Sequence, residues 1–163
     1  MKKHARRRFM LYAALIVVGL FTTVWTSASM AQNGVTNRGV LKRMATMGIA
    51  KTAAGTLADM VAGRVRFDRK VARVARNNLI YVTREIPNVF KRPHGDRLSR
   101  AKTNIWLSWA DFETRAETAE RAAKRLRVGR LKSLQRTLPD MLSACLNCHQ
   151  AYRKPELNRP QDY

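Results

Sequence analysis

Cys145, Cys148 and His149 are the residues of this chain best suited to chemistry. They belong to the pentapeptide Cys145-Leu146-Asn147-Cys148-His149, which uses both cysteines of the chain. The C-x-x-C-H pattern reads as attachment of a c-type haem. Each thiol can form a thioether to a haem vinyl group, and the adjacent imidazole can bind the iron as proximal ligand. On a helix the three residues stand at i, i+3 and i+4 and share one side. The rival chemistries are a redox dithiol, part of a zinc site, or none. A redox C-x-x-C expects a βαβ context, and the sequence near residue 145 has none. A structural zinc ion takes about four protein ligands. Only three candidates cluster here, with His4 and His94 far off in sequence.

The start of the chain predicts export. Residues 1–31 have the three parts of a secretory signal. Lys2, Lys3, Arg6, Arg7 and Arg8 form a positive n-region, Phe9 to Phe21 an apolar core, and Ser29-Met30-Ala31 a small-x-small cleavage site. The other reading is a retained membrane anchor, but the apolar run falls short of the about 20 residues that span a bilayer. Either way the folded part is expected outside the cytoplasm, in the periplasm of a bacterium, where c-type haem is attached. Signal and motif therefore support each other.

Cleavage after Ala31 leaves residues 32–163, one domain's worth of chain. The whole chain has 32 Lys and Arg against 11 Asp and Glu; five of the bases lie in the signal, so the mature balance is 27 against 11, or +16. An exported chain rarely meets nucleic acid, so the charge is not read as a nucleic-acid site. It is either a solvated basic surface or a steering field for an acidic redox partner or an anionic membrane face.

The elements that must position the motif read as helices. Alanine, leucine, arginine and methionine are plentiful, and β-branched runs are scarce. Met47, Ala50, Ala54, Leu57 and Val61 mark one face of a first helix over 36–62, which Gly63 stops. Asp68 is a natural N-cap for a second helix, in which Val71, Ala75, Asn78 and Val82 repeat at helical spacing to about Ile86. Pro87 to Asp96 reads as a loop. A third helix is expected from Ser99 to Val128, with Ile105, Trp109, Phe112, Ala116, Ala119, Ala123 and Leu126 as its stripe. The fourth carries Leu131, Leu134, Leu138, Met141, Leu142 and Cys145 in register. Pro139 implies a kink there or a new helix from about Thr137. The tail beyond Lys154 reads as loose. Four amphipathic segments with short links predict an all-α, antiparallel up-down-up-down four-helix bundle, with covalent haem on its C-terminal helix.

With these features the chain resembles the cytochrome c′ superfamily of four-helix monohaem cytochromes, over about residues 38–154. The landmarks are Arg43 with Met47 one turn on, the Gly63 to Phe67-Asp68 corner, Ile105-Trp106 with Phe112, and the run from Cys145 through His149 to Tyr152-Arg153. The departures are Pro139, the high positive charge and a second tryptophan at Trp109. The resemblance implies one covalent haem c, Arg43 paired with a haem propionate, Arg153 near the proximal imidazole, and pairing into homodimers. It also implies that Met47 faces the iron opposite His149.

The superfamily divides at this position. One branch leaves the iron five-coordinate and binds nitric oxide or carbon monoxide. The other ligates it with methionine and moves electrons. Met47 fits the second branch, although a methionine can also simply pack there. Met44 is a backup ligand, Met60 and Met141 read as core, and His94 as a surface histidine. The expected role is one-electron carriage rather than enzymatic turnover, with gas binding as the alternative. A third reading is a basic docking protein whose charge matters more than its haem.

Overall fold

The apolar segments form helices, but the buried faces only partly follow the predicted stripes: the helix Arg69–Phe90 buries Ala72, Ala75, Leu79 and Val82, while Val71 is 45% exposed. A computed structural model describes residues 34–155. The expected signal at 1–31 and the tail from residue 156 lie outside them. Five helices follow in order: α1 (Arg38–Val61), α2 (Arg69–Phe90), the short α3 (Asn104–Leu107), α4 (Trp109–Arg125) and α5 (Leu131–Tyr152). The long four pack in a ring, α1 on α2, α2 on α4, α4 on α5, and α5 back on α1. Among the described residues there is no strand, and an isolated bridge joins Ala101 to Arg153.

The caps are where sequence chemistry puts them. Asn37 Oδ1 accepts from the amides of Gly39 and Val40 and starts α1. Gly63 ends it with φ of 72°, a left-handed conformation that suits glycine. Asp68 Oδ1 accepts from Lys70 and Val71 and starts α2.

The interior forms two apolar clusters. The first centres on Leu57, Met60, Leu79, Leu134, Leu138 and Met141. The second contains Ile86, Val89, Phe90, Ile105, Phe112 and Tyr152. Met60 and Met141 are core residues, as expected. Leu142, expected in the stripe, is 39% exposed: α5 turns it away from the face that Leu138 and Met141 bury.

The second and third expected helices differ in their bounds from the sequence reading. First, α2 does not stop at Ile86; it continues through Pro87 to Phe90. Pro87 lacks an N–H, so the Thr83 carbonyl loses its helical donor. Tertiary contacts hold the extra turn: Val89 and Phe90 are buried, Arg43 Nε donates to the Val89 carbonyl at 3.1 Å, and Trp106 Nε1 donates to that of Phe90 at 2.7 Å. Side chains thus satisfy carbonyls that a helix end leaves open. Second, the expected third helix is divided. Residues 99–103 are not helical, because they run beside the end of α5; the Lys102 amide donates to the Tyr152 carbonyl and that of Lys154 to Arg100. Ser108 then breaks α3 from α4 with φ −123° and ψ 48°. At the far end α4 stops at Arg125 rather than Val128, where Leu126 turns extended. Of the two readings offered for Pro139, a kink or a new helix near Thr137, the second is excluded: α5 runs as one helix from Leu131 to Tyr152 with Pro139 inside it.

Candidate haem site

Cys145 and Cys148 lie on the inner side of α5, both half-buried free thiols. One turn separates them, and it spans the boundary between the two clusters: Cys145 packs against the first and Cys148 against the second. Burial pushes the Cys145 thiol up, and the Cys148 thiol up to about 11. Exchange-active cysteines have the opposite shift, toward the thiolate. The dithiol reading therefore loses support. Among the described residues no group of three or more His, Cys, Asp and Glu side chains converges as a site for a bare ion.

His149, expected on the same side as both cysteines, is exposed where they are half-buried. Desolvation lowers its pKa, and the charges of Arg153 and Arg100 lower it further. Both effects favour the neutral imidazole, which is the form that ligates a metal. Arg153 is exposed, and its amide donates to the His149 carbonyl at 2.9 Å.

On α1, Met47 is half-buried and packs against the same cluster as Cys148. Met44 is 43% exposed. The fold therefore brings Met47, and not its backup, to the cluster that the attachment turn borders. Around them stand aromatic rings: Phe112 meets Phe90 at 5.3 Å, Trp109 at 5.5 Å and Tyr152 edge-on at 5.3 Å.

Arg43 is not a solvated arginine. It is 3% exposed. Its Nε, Nη1 and Nη2 donate to the carbonyls of Val89, His94 and Arg92. Its guanidinium also lies 5.0 Å from the ring centres of both Phe90 and Trp106. Burial lowers its pKa. These bonds fasten the 91–96 loop onto α1. His94, expected at the surface, is half-buried for the same reason: its ring stands against Gly39, where any Cβ would collide with it.

Sequence reasoning missed a set of polar side chains beside the attachment turn. Tyr152 Oη donates to Asp111 Oδ2 at 2.6 Å. Arg115 Nε donates to the same oxygen at 2.7 Å. Arg115 Nη1 reaches the carbonyl of Asn147, between the two cysteines, at 3.3 Å. Asp111 and Arg115 at i and i+4 are legible as a helix pair; their reach to another helix is not.

The donor set fits a covalently held haem. Two thiols one turn apart open on apolar clusters, a neutral imidazole adjoins them, and a methionine faces the cluster from α1. Cys145 and Cys148 would carry the thioethers and His149 the iron.

Comparison with known proteins agrees. The family described as Cytochrome C′ matches residues 39–153. Cytochrome c-554 of Cereibacter sphaeroides is 30% identical over 111 residues, 63% of this chain and 71% of that one. Among solved structures, a nitric oxide complex of a cytochrome c′ variant from Alcaligenes xylosoxidans shares the fold with a TM-score of 0.63 and 22% identity, covering 72% of this chain and 94% of its own. Another cytochrome c′, described as having ligand-controlled dimer dissociation, has a TM-score of 0.63 at 17% identity and covers 72% and 95%. With the attachment turn, the ring of four long helices and a family match over nearly every described residue, the chain belongs to the cytochrome c′ family and carries one covalently attached haem c.

Proposed function

We propose that this chain is an exported one-electron carrier whose iron is ligated by His149 and by the Met47 thioether. The observation that carries the reading is the position of Met47, half-buried against the cluster that Cys148 borders. When bound, the haem supplies an iron that gains and loses one electron. Everything else is done by the chain. The thiols fix the group, the neutral His149 offers its ring nitrogen, and the buried aromatic rings exclude water. A Met47 thioether bound together with the His149 imidazole would favour the reduced state. No substrate bond is made or broken, so the role is not that of an enzyme.

The test is optical. Reduced protein is expected to ignore carbon monoxide, and Met47→Ala is expected to bind it promptly with a high-spin resting spectrum. Wild-type protein that binds carbon monoxide at once would move the assignment to the second reading, a five-coordinate gas-binding protein. The nitric oxide complex of a similar cytochrome c′ favours that reading.

We place the protein in the periplasm. No helix among the described residues is long and apolar enough to cross a membrane. The mature excess of positive charge suits an acidic redox partner or an anionic membrane face, and nucleic acid is not among the partners proposed. A homodimer is proposed through α1 and α2. Their outer face has a groove of 530 Å³ lined by Gly48, Ile49, Thr52, Val71, Val74 and Asn78. Val74 is 60% exposed, and Tyr81 of the same helix 61%. A second copy presenting the same face would close the pair by two-fold symmetry; dimer dissociation described for a similar cytochrome c′ supports pairing, without naming the face. Sedimentation should give a dimer, and Val74→Glu a monomer with an unchanged spectrum; a wild-type monomer at high concentration would refute the pairing.

A further inference from the structure

Asp111 and Arg115 lie on α4 against the attachment turn of α5, and neither carries a thioether or an iron ligand in the reading above. Their geometry is specific. Arg115 donates to Asp111 at 2.7 Å and to the Asn147 carbonyl at 3.3 Å. Its guanidinium carbon lies 5.9 Å from the centre of the Tyr152 ring. Asp111 in turn receives the Tyr152 hydroxyl at 2.6 Å. Tyr152 is buried in the second cluster, three residues beyond His149. A charged pair is therefore fixed at both ends, by a carbonyl between the two cysteines and by a buried phenol.

We propose that Asp111 and Arg115 set the reduction potential of the haem through opposed charges held beside the Cys148 attachment point. The proposal rests on haem attachment at Cys148 and holds for either function above. Reduction adds one electron, delivered by an external donor protein, and no proton. It lowers the charge of the iron centre by one unit. A nearby guanidinium stabilises that added negative charge and raises the potential, and a nearby carboxylate lowers it. The side chains are 38% and 50% exposed, so water and salt screen the effect.

Opposed charges give opposed signs, which a merely structural clasp would not. Loosening the turn from either side would move the potential in one common direction. Potentiometric titration of the holoprotein at low salt, with redox mediators, reads the difference. Arg115→Gln should lower the midpoint, Asp111→Asn should raise it, and Arg115→Lys should keep it near wild type. Both shifts should shrink at high salt. Arg121→Gln is the control, because Arg121 pairs at i,i+4 with Glu117 on its own helix; its midpoint should stay put. Shifts of the same sign in the two variants, no shift in either, or an equal shift in the control would overturn the proposal. If Asp111→Asn fails to mature, the contrast between Arg115→Gln and Arg115→Lys decides alone: equal midpoints refute a role for the charge. The reduced haem spectrum of each variant reports attachment separately, so loss of haem is not mistaken for loss of tuning.

Discussion

Replacing both Cys145 and Cys148 by serine should give exported protein from which haem is washed away by denaturant, with complete loss of covalently bound visible absorption. Serine preserves size but offers a hydroxyl in place of the sulfur that forms the thioether. His149 remains, and an imidazole alone holds haem only reversibly. The single variants should retain haem through the surviving thioether. The bundle itself should weaken, because the two clusters meet at the turn that carries these thiols, and a group buried there removes apolar area from water at about 25 cal/mol per Å². Haem absorption checks the first effect after denaturing electrophoresis, and thermal unfolding checks the second. A double variant that keeps haem through denaturation would contradict the assignment of the thiols.

Arg43→Ala should destabilise the fold by about 3 kcal/mol, a large share of the roughly 5–15 kcal/mol that holds a domain together. Three carbonyls lose a charged donor, and each hydrogen bond to a charged group contributes about 1.5–3 kcal/mol. The two that lie in the 91–96 loop, at Arg92 and His94, can recover water; Val89, which is buried, recovers less. Arg43→Lys should rescue little, since a single ammonium cannot satisfy three carbonyls set around a planar fork or stack between Phe90 and Trp106. Denaturant unfolding measures the loss, and amide exchange should show the 91–96 loop opening first. A variant within about 0.5 kcal/mol of wild type would show the cage to be decorative. The propionate role implied for Arg43 by the family resemblance would use the N–H groups that the carbonyls leave over.

What the sequence made legible was local chemistry. Gly63 and Asp68 ended and began helices where read, because a left-handed turn and an Asx cap are properties of a few residues. The C-x-x-C-H pattern pointed to covalent haem c for the same reason, and the family match agrees with that cofactor. What escaped was decided by contacts between elements. Pro87 was read as a breaker, yet Arg43 and Trp106 cap the turn beyond it from across the bundle. The stripe from Ile105 to Leu126 ran straight through Ser108, because periodicity survives a break that keeps the buried face aligned. His94 looked like a loop residue and is pinned on Gly39 by the cage around Arg43. The clasp of Asp111, Arg115 and Tyr152 joins residues up to 41 positions apart, beyond the reach of any motif.

The account depends on one covalent fact, and intact-mass spectrometry of natively exported protein tests it most directly. The expected mass is that of the mature chain plus one haem, with the added mass mapping to the peptide that holds Cys145 and Cys148. A mature chain of unmodified mass with both thiols open to alkylation would contradict it.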